Sequence, residues 1–185
     1  MLFKKNSKKI RENTQEEKTV FKIKTVDDIP VIKEMRKKIG NNERRDAVLY
    51  AYASVKSDYT RYFGAPSYKS NREFIFGEME NFNIKPEDEE SRTDNIAIKA
   101  LISDSNYPDK KDKDSNDVKT MDGNTMKFFA IKKIALFYFN YYEMARFGDY
   151  KWENLDEKQM IDPVKDIYNY MDIMKLFYNG DSTGN

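Results

Sequence analysis

The stretch Phe128–Tyr150, FFAIKKIALFYFNYYEMARFGDY, decides how this chain is read, because it holds nine of the twenty-six aromatic residues in a sequence otherwise crowded with Lys, Asp, Glu and Asn. Four readings compete for it: a membrane span, a nucleic-acid stacking platform, a cofactor box and a core helix. Helical spacing separates them. Phe128, Ile131, Ala135, Tyr138, Tyr142 and Ala145 form one apolar row, and Ala130, Ile134, Phe137, Tyr141 and Met144 form a second. A helix apolar on two rows is buried from more than one side. Lys132, Lys133, Glu143 and Arg146 sit towards its ends, where long stems cover apolar surface and charged heads reach water, and a bilayer tolerates such charges poorly. The spacing predicts a central core helix over about 125–147, stopped at Gly148. Burial of each aromatic there contributes roughly 1.5–3 kcal/mol, so Phe137→Ala is expected to damage folding rather than a specific activity.

Working outward, punctuation residues mark further helices. Asp28 is placed to cap a short helix with Pro30 in its first turn, ending at Gly40. NNERRDAVLYAYASVKSDYTRYFG reads as a second helix with Asn caps before it and a left-handed stop at Gly64. Val48, Tyr52, Val55, Tyr59 and Tyr62 form its apolar stripe. Ser70–Glu73, SNRE, has the form of a capping box before FIFGEMENF, although Gly77 weakens that helix by about 1 kcal/mol relative to Ala. Pro86 and the acids Glu87 to Glu90 read as the start of a helix that turns Ile96, Ala97, Ala100 and Leu101 inward and stops near Asp104. Residues 103–124 lack periodicity and read as a long polar loop. WENLDEKQM suggests a helical turn. Asp162 before Pro163 reads as the start of a last helix, with Val164, Ile167, Tyr168, Met171, Met174 and Phe177 or Tyr178 inward. TVFKIKTV, 19–26, suggests a short extended segment. The expected fold is all-α: a compact bundle of five or six helices around the aromatic one. Residues 1–26 are expected to form a flexible or juxtamembrane-like tail, 27–180 one helical domain, and 181–185 a disordered end.

Composition narrows function by exclusion. With 185 residues the chain is long enough for one domain with a sizeable core. Its 33 Lys and Arg nearly cancel 32 Asp and Glu, whereas general nucleic-acid binders carry a basic excess. There is no Cys and no His. Disulfides and thiol nucleophiles are thereby excluded, and the commonest general base and metal ligand are missing. No apolar leader follows the first residues, MLFKKNSKKIRENTQ, and no window reaches the ~20 apolar residues of a bilayer span.

The remaining motifs are weak. DKDSND, Asp112–Asp117, resembles the front of a calcium loop, but Asp117 stands where the turn needs Gly, and Gly123 where the twelfth ligand should be Glu. The run Glu87 to Glu90 complements a helix dipole, since consecutive helical side chains diverge. Seven single glycines build no phosphate loop. Arg44, Arg45, Arg61 and Arg72, near Tyr59, Tyr62 and Tyr68, form a candidate interaction surface of the kind that binds single-stranded nucleic acid. Lys4, Lys5, Lys8, Lys9 and Arg11 would suit the anionic face of a membrane. No catalytic, cofactor or metal residue is assigned.

Two segments together resemble a known family. ERRDAVLYAYASVKSDYTRYFGAP followed by NREFIFGEM, and then YYEMARFGDY, are similar to the helix, glycine turn and closing motif of a bacterial and archaeal domain family. Its members form the C-terminal cytoplasmic domains of transglutaminase-like membrane proteins and are often encoded beside MoxR-type AAA ATPases. The resemblance covers Glu43 to Tyr150. It departs from the family pattern at Ser70-Asn71, where Thr-Pro is usual, in a longer loop 103–124, and in the helix after Trp152. It implies structural roles for Arg44, Ala47, Tyr52, Glu73, Glu143, Arg146 and Gly148, and no catalytic site. It also implies a cytoplasmic position at the membrane face, with an AAA ATPase system or a neighbouring domain as partner.

The expected function is therefore a non-enzymatic helical protein-interaction or accessory domain. The alternative is a nucleic-acid-binding accessory protein using the helix 43–63 and the basic tail. Glu143 and Arg146 stand one turn apart and would pair, or else reach other helices together with Arg44 or Arg45.

Overall fold

The computed structural model describes residues 28–86, 92–106, 123–148 and 150–172, which form an all-α bundle. The helices are α1 Pro30–Gly40, α2 Arg44–Phe63, α3 Asn71–Glu80, α4 Asn95–Asp104, α5 Gly123–Phe137, α6 Glu143–Phe147 and α7 Glu157–Met171. A π-helical turn, Tyr138–Tyr142, joins α5 to α6 in one rod, so six helical rods lie among the described residues. The basic run in the tail, the segment 19–26, Glu87 to Glu90, the motif 112–117, and Met174, Phe177 and Tyr178 lie outside them.

The aromatic rod is the centre of the bundle. α5 packs most extensively on α7 and also meets α2, α3 and α4, while α1 lies along α2 and α7. Phe128, Ile131, Ala135 and Tyr138 of the first row are buried, as are Ala130, Ile134 and Phe137 of the second. Beyond Tyr138 the rows hold only in part: Ala145 of the first row is buried, Tyr141, Tyr142 and Met144 are only half-buried, and Phe139, on neither row, is buried against Phe76. The reason is the π turn, in which the Glu143 N–H reaches back to the Tyr138 carbonyl. One extra residue in that turn rotates everything after it relative to an α-helical wheel.

α2 has the expected stripe, with Val48, Tyr52, Val55 and Tyr59 buried beside Ala47 and Ala51. It ends at Gly64, whose φ of 67° requires a residue without a Cβ penalty. Ser70 caps α3 through its Oγ, which accepts from the Glu73 N–H. The Glu73 carboxylate accepts from Lys69 N–H rather than from Ser70, so the box closes one residue early.

Four boundary or facing expectations are corrected. α1 is preceded by Ile29, with no side-chain cap, so Asp28 does not cap it. No Asn side chain caps α2; its N-cap is Glu43. α4 begins at Asn95 under an Asp94 cap, and its inward residues are Ile98 and Ile102. Ile96, Ala97 and Ala100 face outward, while Leu101 is half-buried against the core as expected; a start at Asn95 turns Ile98 and Ile102 towards α5, α4's most extensive neighbour. α7 starts at Glu157, where Asp156 and Gln159 make a reciprocal capping box, and Pro163 lies inside the helix. A strong cap six residues upstream outweighed the missing N–H of Pro163. Between α6 and α7, Trp152–Asn154 makes a 3₁₀ turn.

Candidate functional site

The π turn and α6 face α3 and α4 across a cleft of about 660 Å³, lined among others by Asn71, Arg72, Asn95, Tyr138, Phe139, Glu143, Arg146 and Phe147. Single π turns inside α-helices recur at functional sites. Here the turn sets Tyr138 and Glu143 towards the same neighbours. Arg72 Nη1 donates to Glu143 Oε1 at 2.6 Å, and Asn95 Nδ2 donates to Oε2 at 2.7 Å. Burial, followed by the negative charge of this carboxylate, pushes the Tyr138 phenol well above its ordinary pKa. Arg72 Nη2 donates to the Arg92 carbonyl at 2.6 Å, while its guanidinium lies over Phe76 and Phe139 at 5.5 and 5.4 Å.

Glu143 and Arg146 therefore form no pair with each other. Glu143 reaches α3 and α4, and Arg146 stays exposed with its guanidinium 5.8 Å over Phe147. Arg45 does join the rod, donating to the Ala145 carbonyl at 2.7 Å. Arg44 donates to Asn42 at 2.9 Å, and its buried Nε has no hydrogen-bond partner. Arg61 pairs with Asp58 at 2.9 Å. The four arginines of the candidate interaction surface are thus engaged separately, at different neighbours.

Of the family-like positions, Ala47 and Tyr52 are core residues, Glu73 is an exposed partner of a backbone N–H, and Gly148 stops α6 in extended conformation, with φ −108°. Tyr52 packs its ring on Tyr142 and Tyr138, with centroids 4.1 and 5.4 Å apart. Its hydroxyl is buried and has no hydrogen-bond partner; burial drives its pKa strongly upward.

A second polar centre escaped the sequence reading. Glu78 is fully buried, yet its carboxylate accepts from Tyr59 at 2.9 Å and Tyr68 at 2.8 Å and pairs with Lys127 at 3.1 Å. Burial and then the carboxylate raise the Tyr59 phenol, while Tyr68 is pushed up to about 12 by the same causes. A signal existed: Glu78 falls one turn after the buried Phe74, on the apolar side of α3. Asn71, Asn95, Lys56 and Lys127 were also missed, since a polar residue in a polar sequence gives no sign of which neighbour it meets.

Chemically, each of these carboxylates is already held by several donors. Among the described residues no group of three or more acidic side chains is gathered as a metal ion would need, and no helix is long and apolar enough to cross a membrane. No protein-family model, no curated protein and no solved structure matches the chain.

Proposed function

We propose that this chain is a non-enzymatic interaction or accessory domain that docks a protein partner at the end of the bundle where α3, α4 and α6 meet. One observation carries this reading: among the described residues, the large apolar side chains left in water are Phe147, 79% exposed, Ile96, 76% exposed, and Tyr150, 39% exposed. Ile96 follows Asn95, which is bonded to Glu143, and Phe147 lies one turn beyond Glu143. Phe147 lies beside the exposed guanidinium of Arg146, and aromatic and arginine side chains are the usual anchors of interfaces. The Arg72–Glu143–Asn95 tie beneath them supplies a rigid base.

The family resemblance extends the proposal to a partner: a MoxR-type AAA ATPase or a neighbouring domain, at the cytoplasmic face of a membrane that the basic tail would contact. The nucleic-acid alternative draws less support, because Arg45 and Arg72 are committed to Ala145 and Glu143 and the net charge is only +1. The test is affinity chromatography of a MoxR-type ATPase from the source organism over the immobilised 185-residue chain. Retention that disappears in a Phe147→Ser, Ile96→Ser double variant with unchanged circular dichroism is the expected result. Retention undiminished by the double variant refutes the surface, and hydrolytic activity in the purified chain refutes the non-enzymatic reading.

A further inference from the structure

A second cleft, of about 670 Å³, opens between α2 and the end of the aromatic rod. Among the described residues, its polar wall includes Lys56, Arg61, Asn71, Tyr142 and Arg146, and no carboxylate lines it. Arg61 is already paired with Asp58. Among the described residues Lys56 and Arg146 meet no such partner. The Lys56 ammonium donates to the neutral Asn71 amide oxygen at 2.7 Å and lies 5.2 Å over the Phe74 ring. The Arg146 guanidinium lies 5.8 Å over the Phe147 ring. By contrast Arg72, Lys127 and Lys133 each meet a carboxylate.

A half-buried ammonium without a counter-ion is costly, and burial lowers the Lys56 pKa accordingly. Tyr52 lines the same cleft, its ring packed against Tyr142 with centroids 4.1 Å apart. Asn71 is meanwhile fixed from both sides, because its Nδ2 donates to the Tyr142 hydroxyl at 2.7 Å. It is also the first residue of α3, where the positive end of the helix dipole favours anions.

We propose that this cleft binds a small organic anion, its phosphate or carboxylate group held between Lys56 and Arg146, with Asn71 and Tyr142 as neutral partners. Leu49 and Ala53 offer an apolar wall for the body of the molecule. The volume lies in the ordinary range of small-molecule sites. The inference does not depend on a protein docking at Phe147.

The test titrates the full chain with inorganic phosphate and, separately, with benzoate at constant ionic strength, following heat by calorimetry. Saturable binding of phosphate alone assigns a phosphate-bearing ligand; saturable binding of benzoate alone assigns a carboxylate with an apolar body. Either affinity is expected to fall about tenfold or more in Lys56→Gln and in Arg146→Gln, as loss of a charge-assisted bond requires. Arg36→Gln, at the exposed Glu157 pair, serves as a control without effect. Absence of saturable binding by both anions, or wild-type affinity in both Lys56→Gln and Arg146→Gln, overturns the proposal.

Discussion

Replacing Gly77 by alanine sets helix propensity against packing, and the two predict opposite signs. Propensity alone favours the change, because Ala is better than Gly inside a helix by about 1 kcal/mol. The structure argues the other way. A Cβ on Gly77 would stand 2.4 Å from Tyr68 Cε1 and 2.9 Å from its hydroxyl oxygen. Tyr68 must then swing away, and its bond to the fully buried Glu78 carboxylate is lost. A hydrogen bond to a charged group contributes about 1.5–3 kcal/mol. Tyr59 and Lys127 still hold Glu78, so the carboxylate is left under-satisfied rather than bare. The net expectation is destabilisation by about 0.5–2 kcal/mol, the difference of these two ranges.

Urea denaturation followed by far-ultraviolet circular dichroism measures it. The decisive control is the same substitution in a Tyr68→Ala background, where the obstacle is gone and Gly77→Ala should stabilise by about 1 kcal/mol. The resulting cycle gives a coupling of about 1.5–3 kcal/mol. A Gly77→Ala variant more stable than wild type in the native background would refute the reasoning.

Four further outcomes are expected. Phe137→Ala, in the rod that touches most other helices, should lose about 3–5 kcal/mol in the same urea assay. Arg72→Met should cost about 2 kcal/mol, between the ~0–1 of an exposed pair and the ~3–5 of a buried one, since Arg72 is 34% and Glu143 13% exposed. Arg146→Ala should change the unfolding free energy by less than about 0.5 kcal/mol in the same assay, as ordinary surface changes do. The fourth concerns alkali: Tyr68 ionises at about 12 when folded, above the ordinary 10.0, and Tyr52, Tyr59, Tyr138 and Tyr168 are raised too. The folded chain therefore keeps protons that the unfolded chain releases. Stability should be intact below about pH 10 and fall as pH rises towards 12, less steeply in Tyr68→Phe.

Legibility in the sequence followed the kind of force involved. The aromatic rod, the α2 stripe and Gly64 were readable because burial and left-handed backbone leave periodic or chemical marks along the chain. Facing failed for Ile96 because a ten-residue helix with Ile96, Ile98, Leu101 and Ile102 offers two rival faces, and tertiary contacts, chiefly with α5, choose between them. The start of α7 failed because Asp156 and Asp162 both precede plausible helices, and Pro163 pointed to the weaker one. The site was the least legible part. That Glu143 and Arg146 matter to the rod was visible, but which helices they face depends on the π turn, and no residue spacing announces an extra residue per turn.

The ties that sequence could not assign share one chemical form, which bears on what the molecule can do. Asp58 receives Tyr168, and Glu78 receives Tyr59 and Tyr68. In a chain without His or Cys, tyrosine is the side chain that brings apolar bulk into the core and still offers a donor at its tip. Through these bonds α2 is tied to α7 and α3, and through Lys127, Arg72 and Asn95 the ties extend to α5, α6 and α4. A carboxylate so placed serves the fold: removing one partner leaves the other buried and unpaired. To act as a general base it would first have to release those donors, at a cost to the packing that positions it. By contrast, Lys56 and Arg146 meet no carboxylate among the described residues, and the ring of Phe147 is exposed. Function in this bundle is accordingly expected where cations and apolar rings meet solvent, with the acids holding that surface in place.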